Sequence, residues 1–438
     1  MKVVVVGGGK TGISVARFYR KMGHEVIIND IKREEDFSAE EMKNIKMVAE
    51  FTGGGHSEEL LNSADRIVVS PGVPPASIKK LVKNEKKLKG DIEDAYEWVD
   101  GNVIGITGTK GKTSFSMLIS RLLEEGGYKV FTGGNIGTPY IEAYGKNYDY
   151  IVLELSSFQL EWVEKFRPKV AVLLNLKPDH FDRYKDMNEY FAAKARIFKN
   201  QEEEDIAILS ADIPCVNALR VRSKCFFFST EKEVERGAYK ISEKVKVNVR
   251  KEKEFLFEKD VLLRVLSWEN LLAYLVFSEV FGIKEETYIN VLKSFSPPPH
   301  RLQKIGKWKG MEFFNDSKST TPASVMNALK IIDPPIILLM GGRNKNLSFS
   351  PLREEIGKKV KAVLLFGESK EEIKKDIENC GAEIFVADAL DEAIQIALKI
   401  GREGDKVLFS PGCASFDMFR NYEERGEKFV ETVRRHIG

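Results

Sequence analysis

VIGITGTKGKTS, residues 103–114, joins an apolar segment typical of a buried strand to an amphipathic helix. The helix is predicted because Phe115, Leu118 and Ile119 fall at the spacing that forms one apolar stripe. A strand, a glycine-rich loop and a helix in this order present backbone N–H groups and the helix N-terminus to a polyphosphate. We therefore predict a nucleotide site here, although the usual GxxxxGK[ST] pattern has glycine where this chain has Ile106.

The loop is predicted to bind ATP through Gly108, Thr109, Lys110, Gly111, Lys112, Thr113 and Ser114. Lys112 would neutralise phosphate oxygens, and the Thr113 hydroxyl would reach a magnesium ion. The alternative is a tight strand–helix turn with incidental lysines, and the flanking strand and helix favour the nucleotide site.

Two candidate metal ligands follow neighbouring strands of the same predicted sheet. Glu154 ends the apolar segment at 151–153, and His180 lies just beyond the segment at 170–174. Because open α/β sheets bind ligands at the carboxyl ends of their strands, both side chains should converge on the phosphate loop. A carboxylate and an imidazole there suit a divalent cation that bridges a reacting phosphate. Either residue alone would more simply be a helix cap or a loop histidine.

Apolar segments of strand length alternate with amphipathic helical segments over most of the chain, which predicts an α/β fold with parallel sheets. Three successive prolines at 297–299 fit neither a helix nor a central strand and indicate a domain boundary. The predicted domains are residues 1–95, 96–296 and 297–438.

The central domain changes character after residue 225. Segments 226–228, 245–249 and 255–257 are short or alternating, with no long helix between them. This pattern predicts a small antiparallel sheet beside the parallel one.

The 438-residue chain carries 68 basic and 66 acidic residues, so its charge gives no indication of a nucleic-acid or membrane surface. Its four cysteines form no CxxC pair and are expected to be reduced thiols. No apolar run approaches the roughly 20 residues that span a bilayer, and the N-terminus does not have the pattern of a signal peptide. We expect a cytoplasmic protein that inserts into no membrane and binds no nucleic acid.

A second glycine loop follows the first predicted strand. Gly7, Gly9 and Gly12 fit GxGxxG, and Asp30 closes the next strand. Taken alone, this pattern predicts a dinucleotide site with the acid on a ribose.

The chain resembles the Mur ligases in motifs that follow one another in family order. These are TGTKGKT (107–113), GGNIGTP (133–139), ELSSFQLE (154–161), DHFDR (179–183), HR (300–301), NDSKST (315–320) and SPGCAS (410–415). The resemblance covers essentially the whole chain, and ELSSFQLE and NDSK discriminate between members of the family.

The resemblance implies three domains: an N-terminal Rossmann-like domain, a central P-loop ATPase-like domain and a C-terminal Rossmann-like domain. It implies that ATP phosphorylates a carboxylate of the substrate and that an amino acid's amine then displaces the phosphate. The implied substrates are UDP-N-acetylmuramoyl-L-alanine and D-glutamate, in bacterial peptidoglycan precursor synthesis. Two Mg²⁺ ions are expected as cofactors, with Mn²⁺ as an alternative, and the protein is expected to be a monomer.

The family motifs also assign residues to each ligand. Lys112, His180 and a carbamylated Lys194 are expected to be catalytic, and Thr113, Glu154 and His180 to hold the metal ions. Asn270, Arg301 and Asp316 would join the loop in binding ATP. The residues implied for the UDP substrate are Gly9, Lys10, Thr11, Gly12, Asp30, Ser70, Pro71, Gly72, Asn135, Ser157 and Gln159. The residues implied for the amino acid are Lys318, Thr320, Thr321, Lys345, Ser415 and Phe419.

Two departures from the family pattern concern the amino acid and adenine. Ser348 stands where the usual pattern has an acid, and Arg343 adds a charge to the same loop. At 266–270, an HNxxN-like pattern keeps only its later asparagine, Asn270. The first departure bears on specificity for D-glutamate and the second on contacts with adenine.

Three other functions compete with the ligase. A nicotinamide-dependent dehydrogenase would use GxGxxG but leaves the second phosphate loop unexplained. A nucleotide-driven switch or motor would hydrolyse ATP without an acyl acceptor. Another Mur ligase or a folylpolyglutamate-type synthase is disfavoured by NDSK and by the N-terminal glycine loop.

Overall fold

The N-terminal part of the chain forms a parallel five-stranded sheet. The structure is a computed structural model that describes residues 1–242 and 244–437. The strands are β1 (Lys2–Val6), β2 (Glu25–Asn29), β3 (Glu50–Thr52), β4 (Arg66–Val69) and β5 (Leu88–Gly90). The helices are α1 (Lys10–Lys21), α2 (Ala39–Lys46), α3 (Glu58–Ser63), α4 (Pro75–Lys79) and α5 (Asp91–Tyr96). The strand order β3-β2-β1-β4-β5 reverses beside β1, which opens a crevice at the carboxyl ends of β1 and β4.

The central part forms a nine-stranded sheet around the phosphate loop. Its strands are β6 (Asn102–Thr107), β7 (Val130–Gly134), β8 (Tyr150–Glu154), β9 (Val170–Leu173), β10 (Ile206–Ser210), β11 (Lys224–Ser229), β12 (Gly237–Ile241), β13 (Lys244–Asn248) and β14 (Glu252–Leu256). Its helices are α6 (Lys112–Glu125), α7 (Ser157–Leu160) and α8 (Met187–Ala195). The strand order is β14-β13-β12-β11-β10-β9-β6-β8-β7. The carboxyl ends of β6, β8 and β9 are adjacent, because β8 and β9 pair with β6 from opposite sides.

The predicted small antiparallel sheet is part of this larger sheet rather than separate from it. β11, which contains residues 226–228, pairs in parallel with β10 and β12. Among the strands that the structure describes in this sheet, only the pairs β12–β13 and β13–β14 are antiparallel, and they extend the sheet at its edge. The alternating burial of β13 indicates a strand with one covered face, but periodicity does not specify which sheet edge it joins.

Three helices follow the central sheet. They are α9 (Lys259–Val265), α10 (Trp268–Phe281) and α11 (Glu285–Ser294). α10 is buried along most of its length, which explains why its sequence is almost uniformly apolar.

The C-terminal part forms a mixed six-stranded sheet. Its strands are β15 (Gln303–Trp308), β16 (Met311–Asn315), β17 (Ile336–Gly341), β18 (Val360–Phe366), β19 (Glu383–Val386) and β20 (Lys406–Gly412). Its helices are α12 (Pro322–Ile331), α13 (Arg353–Lys359), α14 (Lys370–Asp376), α15 (Leu390–Ile400) and α16 (Tyr422–Ile437). The order is β15-β16-β20-β17-β18-β19, and of these described strands only β15 and β16 pair antiparallel. The α/β fold class with its three sheets is therefore confirmed. The last helix, α16, begins at Tyr422.

The chain divides into two compact units. The first unit comprises Met1–Phe257 and Glu269–Leu292, and it contains the first two sheets. The second unit comprises Glu258–Trp268 and Lys293–Gly438. The second unit therefore includes α9, because Leu263 and Leu266 pack against its core. The domain boundaries predicted from the sequence stay predictions.

Short 3₁₀ helices complete the secondary structure at Glu34–Asp36, Glu85–Lys87, Tyr140–Ala143, Arg196–Phe198, Val216–Ala218 and Ser350–Leu352. Among the described helices, none combines the length and apolar character needed to traverse a lipid bilayer.

Candidate active site

The phosphate loop connects β6 to α6 through two glycines with positive φ. Gly108 has φ 150° and Gly111 has φ 85°, and Gly111 precedes the first residue of α6. A Cβ atom on Gly111 would lie 2.7 Å from Asn270 Oδ1, so glycine is required for both its conformation and its space. The fully buried Asn270 therefore packs directly on the loop that was predicted to bind ATP.

Lys112 is half-buried and points back over the loop. Its Nζ donates hydrogen bonds to the carbonyl oxygens of Gly108 at 2.9 Å and of Thr109 at 3.1 Å. An ammonium group held in this way lies beside the backbone N–H groups at the start of α6. A bound phosphate would meet both kinds of donor.

Asn175 organises the loop from the neighbouring strand, a role that the sequence analysis missed. Its buried Oδ1 accepts hydrogen bonds from the backbone N–H of Thr109 at 3.1 Å and of Lys110 at 2.9 Å. Its Nδ2 donates to the carbonyl of Lys110 at 3.0 Å. The signal available in the sequence was its position two residues after β9, at the carboxyl edge where ligands bind.

Glu154 joins the phosphate loop to the GGNIGTP loop. It is 3 % exposed, and its Oε2 accepts a hydrogen bond from Thr113 Oγ1 at 2.8 Å. Its Oε1 accepts one from Asn135 Nδ2 at 2.8 Å. The structure thus brings together Glu154 and Thr113, both predicted metal ligands, with Asn135, which the family motifs assigned to the UDP substrate.

This donor set fits a magnesium ion. Within the described residues, no group of three or more His, Cys, Asp or Glu side chains could hold a metal ion. Mg²⁺ typically uses only one or two carboxylates and completes its coordination with phosphate oxygens and water. A carboxylate and a hydroxyl 2.8 Å apart beside a phosphate loop match that preference.

His180 lies among aromatic rings at the same end of the sheet. Its ring centroid is 4.9 Å from that of Phe158 and 5.9 Å from that of Tyr190. The His180 side chain is partly exposed. Partial desolvation nevertheless lowers its pKa, although the negative charge of Asp179 acts in the opposite direction. A neutral imidazole is the form that binds a metal ion.

Lys194 is buried beneath the phosphate loop. It is 2 % exposed, and its Nζ donates to the carbonyl of Gly108 at 2.9 Å and lies 4.6 Å from the centre of the Tyr190 ring. Burial, together with the nearby charge of Lys112, holds the pKa of its ammonium group well below the usual value. Lysine side chains are usually solvated. Lys194 is instead a desolvated amine whose neutral form is stabilised.

The N-terminal glycine loop borders a cleft of about 220 Å³. Its lining residues are Gly7, Asp30, Ile31, His56, Gly72, Val73, Pro74 and Ser77. Asp30 accepts hydrogen bonds from the backbone N–H of Gly8 at 2.7 Å and of Lys32 at 2.9 Å, which fixes the loop's shape. Ser70 Oγ donates to the Gly7 carbonyl at 3.4 Å. The predicted residues Asp30 and Gly72 thus lie in one cleft.

The remaining N-terminal candidates surround the start of α1. Gly9 precedes the first turn of α1, where Lys10 and Thr11 begin the helix. A Cβ atom on Gly12 would lie 1.9 Å from the Gly7 carbonyl oxygen, so the helix approaches the loop closely. Lys10 Nζ donates to the carbonyl of Gly137 and so links this loop to GGNIGTP. Pro71 is half-buried between Ser70 and the cleft residue Gly72.

Ser157 and Gln159 are buried and already have partners. Gln159 Nε2 donates to Asp91 Oδ2 at 2.9 Å, while its Oε1 accepts from the backbone N–H of Ser156 at 3.1 Å. The Ser157 hydroxyl interacts with the Tyr184 side chain. Both residues shape the turn that follows Glu154, and their predicted contact with the UDP substrate stays a prediction.

In the second unit, Asp316 anchors the NDSK motif. It is 5 % exposed and accepts hydrogen bonds from the Leu302 backbone at 3.2 Å, Ser319 Oγ at 2.5 Å and Ser410 Oγ at 2.8 Å. Burial raises the pKa of its carboxyl to about 6, against the lowering effect of these hydrogen bonds and of the nearby Arg301 charge. Asp316 therefore connects the NDSK and SPGCAS motifs.

Arg425, on α16, makes a second connection that the sequence did not reveal. It is fully buried and donates to Ser317 Oγ at 3.1 Å, to the Ser317 carbonyl at 2.8 Å and to the Cys413 carbonyl at 3.0 Å. A fully buried arginine in a helix rich in charged residues has no distinguishing sequence pattern.

Cationic and hydroxyl groups of the amino-acid set lie near one another. Lys345 Nζ is 3.4 Å from Thr320 Oγ1, which brings the loop after β17 to the NDSK motif. The Thr321 hydroxyl shares a hydrogen bond of 2.9 Å with Ser324 Oγ at the start of α12.

Three further candidates of this set have different surroundings. Lys318 Nζ lies 5.0 Å from the centre of the Tyr422 ring. Ser415 is 2 % exposed, and Phe419 packs partly buried against the apolar core.

The two unusual residues of the loop after β17 each have an acidic partner. Arg343 Nε donates to Glu368 Oε2 at 2.8 Å. Asp376, at the end of α14, accepts from Ser348 Oγ at 2.9 Å and from the Phe349 backbone N–H at 2.6 Å. An acid from α14 thus lies beside the position where the family pattern has its own acid.

Comparisons with known proteins cover nearly the whole chain. Three family models match: the MurD-like N-terminal domain of Mur ligases over residues 1–88, the Mur ligase middle domain over 106–270 and the Mur ligase glutamate ligase domain over 300–413. The UDP-N-acetylmuramoylalanine--D-glutamate ligase of Pelotomaculum thermopropionicum is 37 % identical over 443 residues, covering 99 % of this chain and 97 % of that protein. The ligase of the same name from Koribacter versatilis is 38 % identical over 442 residues, with the same coverage. The crystal structure of MurF ligase from Thermotoga maritima in complex with ADP has the same fold, with a TM-score of 0.61 and 17 % identity, covering 94 % of this chain and 95 % of that one.

Proposed function

The chain belongs to the Mur ligase family, and from this premise we propose that it joins D-glutamate to UDP-N-acetylmuramoyl-L-alanine at the expense of ATP. The observation that carries the proposal is the group of polar side chains around Gly108, where Lys112 and Lys194 meet the turn that opens α6. Such a site can stabilise the negative charge that accumulates as a carboxylate becomes an acyl phosphate.

The reaction transfers a phosphoryl group and then forms an amide. The substrate's terminal carboxylate oxygen attacks the γ-phosphorus of ATP, and ADP leaves. The amine of D-glutamate then attacks the acyl carbon and loses a proton, and inorganic phosphate leaves from a tetrahedral intermediate. Lys112 and the backbone N–H groups of the loop would bind the charged oxygens in both steps, which is mainly positioning and electrostatic stabilisation.

We propose that two Mg²⁺ ions bind through Thr113, Glu154 and His180. Thr113 and Glu154 fit the ion that accompanies ATP, because their oxygen atoms are already 2.8 Å apart. Glu154 and His180 would hold the second ion. Bound magnesium would neutralise phosphate oxygens, and Mn²⁺ is the alternative with similar ligand preferences.

Lys194 is proposed to act as a carbamate. A neutral amine can attack CO₂, forming an N–C bond and releasing a proton, and this converts a buried neutral amine into an anion. The lowered pKa of Lys194 and its burial near Lys112 support the neutral amine that this step requires. The resulting carboxylate would orient the metal ions or phosphate beside it.

Replacing Lys194 tests this proposal. Lys194→Arg should abolish turnover, since a guanidinium forms no such carbamate, and Lys194→Ala should recover part of its activity when acetate supplies a carboxylate. The exposed Lys199→Arg serves as the matched control on the same stretch of chain. Normal turnover by Lys194→Arg would eliminate the carbamate.

The amino acid is proposed to bind the second unit through Lys318, Thr320, Thr321, Lys345, Ser415 and Phe419. Two lysines and several hydroxyl groups suit the two carboxylates of glutamate. Asp376 supports this assignment, because its carboxylate accepts hydrogen bonds from Ser348 and Phe349 in the loop that carries Lys345. For ATP, the proposed contacts beyond the loop are Asn270, Arg301 and Asp316.

The decisive experiment measures phosphate release from ATP in the presence of UDP-N-acetylmuramoyl-L-alanine and a panel of D- and L-amino acids. Release should require the UDP sugar and D-glutamate together, and Lys112→Ala should abolish it. Release without any acyl acceptor would instead indicate a nucleotide switch. A preference for an L-amino acid would indicate another ligase of the family.

Assembly and location complete the proposal. We propose a monomer that works in the cytoplasm on small-molecule substrates, without nucleic acid. Sedimentation at micromolar concentration should therefore give the mass of one 49.6 kDa chain with and without substrates.

A further inference from the structure

His56 lies in the N-terminal cleft, although it matches none of the motifs that assigned the substrate site. It follows the glycine-rich turn after β3 and lines the cleft with Asp30 and Gly72. The inference below rests on the proposed function, in which this cleft receives the uridine end of the sugar nucleotide.

Asn29 fixes which nitrogen of the imidazole carries a proton. Asn29 is fully buried, and its Nδ2 donates to the carbonyls of Thr52 at 3.0 Å and Gly55 at 2.9 Å. Both amide hydrogens are therefore used, and Oδ1 is identified as the acceptor at the other end. His56 Nδ1 lies 2.6 Å from that Oδ1, so Nδ1 must be the donor.

The other ring nitrogen, Nε2, is then a hydrogen-bond acceptor. Burial lowers the pKa of His56, opposed by the charge of Asp30, and a neutral imidazole with its proton on Nδ1 has a lone pair on Nε2. No hydrogen bond to Nε2 is formed within residues 1–242 and 244–437. The ring is held by Asn29 with one acceptor still available.

The walls of the cleft suit a planar base. Ile31, Val73 and Pro74 contribute apolar surface, and Ile31 is 69 % exposed. An isoleucine left uncovered in a cleft beside a polar turn would gain apolar contact when a flat ring lies against it.

We propose that Nε2 of His56 accepts a hydrogen bond from the N3–H of uracil and so selects the base of the sugar nucleotide. Uracil presents a donor at N3, whereas cytosine presents a lone pair there. Against cytosine, two acceptors would face each other, and neither would be satisfied. His56 thus distinguishes two pyrimidines of nearly equal size by one atom.

The test measures binding of UDP, CDP and N3-methyl-UDP to the full-length protein by calorimetry. The wild type should bind UDP about tenfold more tightly than either analogue, the size of one neutral hydrogen bond together with an unpaired polar group. His56→Asn keeps an amide that can donate to Asn29 but has no acceptor at the Nε2 position. It should bind UDP about tenfold more weakly and no longer distinguish the methylated base.

The outcomes separate this inference from the proposed function. If His56→Asn preserves the wild-type ratio of UDP to N3-methyl-UDP affinity, His56 does not recognise N3–H, even though the ligase activity stands. If the wild type itself binds UDP and N3-methyl-UDP equally, the inference is overturned without any variant. If the wild type neither binds UDP nor uses the UDP sugar, both the role of His56 and the proposed ligase function are refuted. His436→Ala, an exposed histidine of the second unit, controls for loss of a histidine, and thermal unfolding checks each variant's fold.

Discussion

Replacing Asn175 with alanine should weaken ATP binding without touching any atom of the nucleotide. The variant loses the two hydrogen bonds that Oδ1 accepts from Thr109 and Lys110, and the one that Nδ2 donates to the Lys110 carbonyl. The backbone N–H of Thr109 keeps its bond of 3.1 Å to the Asn175 carbonyl, so the Lys110 N–H bears most of the loss.

The size of the effect follows from these three bonds. At about 1 kcal/mol each, their loss should lower the free energy of unfolding by about 2–3 kcal/mol. If about 2 kcal/mol of that must be supplied by the nucleotide when it orders the loop, the KM for ATP rises roughly thirtyfold. The value of kcat should change less, because Lys112 and Glu154 remain.

Two comparisons sharpen the measurement. Asn175→Asp keeps both bonds that Oδ1 accepts, so its stability should stay within about 1 kcal/mol of the wild type. Its KM for ATP should still rise, because a carboxylate now faces phosphate oxygens. Asn188→Ala, an exposed asparagine on α8, should change neither quantity. Phosphate release and denaturant unfolding measure the two effects, and a wild-type KM for ATP in Asn175→Ala would refute the reasoning.

Two further predictions concern Asp376 and Asp91. Asp376→Ala removes the acceptor of Ser348 and Phe349, so steady-state assays should show the KM for D-glutamate rising about tenfold at an unchanged KM for ATP. The exposed Glu378→Ala is its control, and equal changes in both KM values would contradict a local role. Complete burial raises the pKa of Asp91 to about 7 in the folded protein. The protonated Asp91 carboxyl therefore contributes to the stability of the fold below about pH 4, and this contribution is lost as the pH rises through 7. The free energy of unfolding of Asp91→Asn should therefore rise by about 2.6 kcal/mol relative to that of the wild type between pH 5 and pH 8 in denaturant unfolding. A pH-independent difference would contradict the burial argument.

The direction of strands made much of the first unit predictable. The segment before Gly108 and the segment ending at Glu154 both indicated parallel strands, and their carboxyl ends had to meet. The contact of Thr113 with Glu154 follows from that rule and from the helix start. Chemistry that depends on strand direction was thus predictable from the local sequence.

Residues that act through tertiary packing were not predictable in this way. Asn175 and His56 follow strands as ordinary loop residues, and Arg425 lies in a helix whose other charges are solvated. The desolvation of Lys194 depends on Tyr190 and on the loop above it, which no local pattern specifies. Short strands that contain glycine, such as β7 and β12, also gave weak signals because glycine has low strand propensity.

The path of the chain through α9 has a practical consequence for dissecting the protein. Since Glu258–Trp268 belongs to the second unit and Glu269–Leu292 to the first, the backbone passes from one unit to the other after Phe257, after Trp268 and after Leu292. A fragment that starts at residue 297 would leave the apolar surface under Leu263 and Leu266 bare and should aggregate. Conversely, a protease nick after Phe257 leaves part of the first unit on the C-terminal fragment, so the two pieces should co-purify until a denaturant releases them.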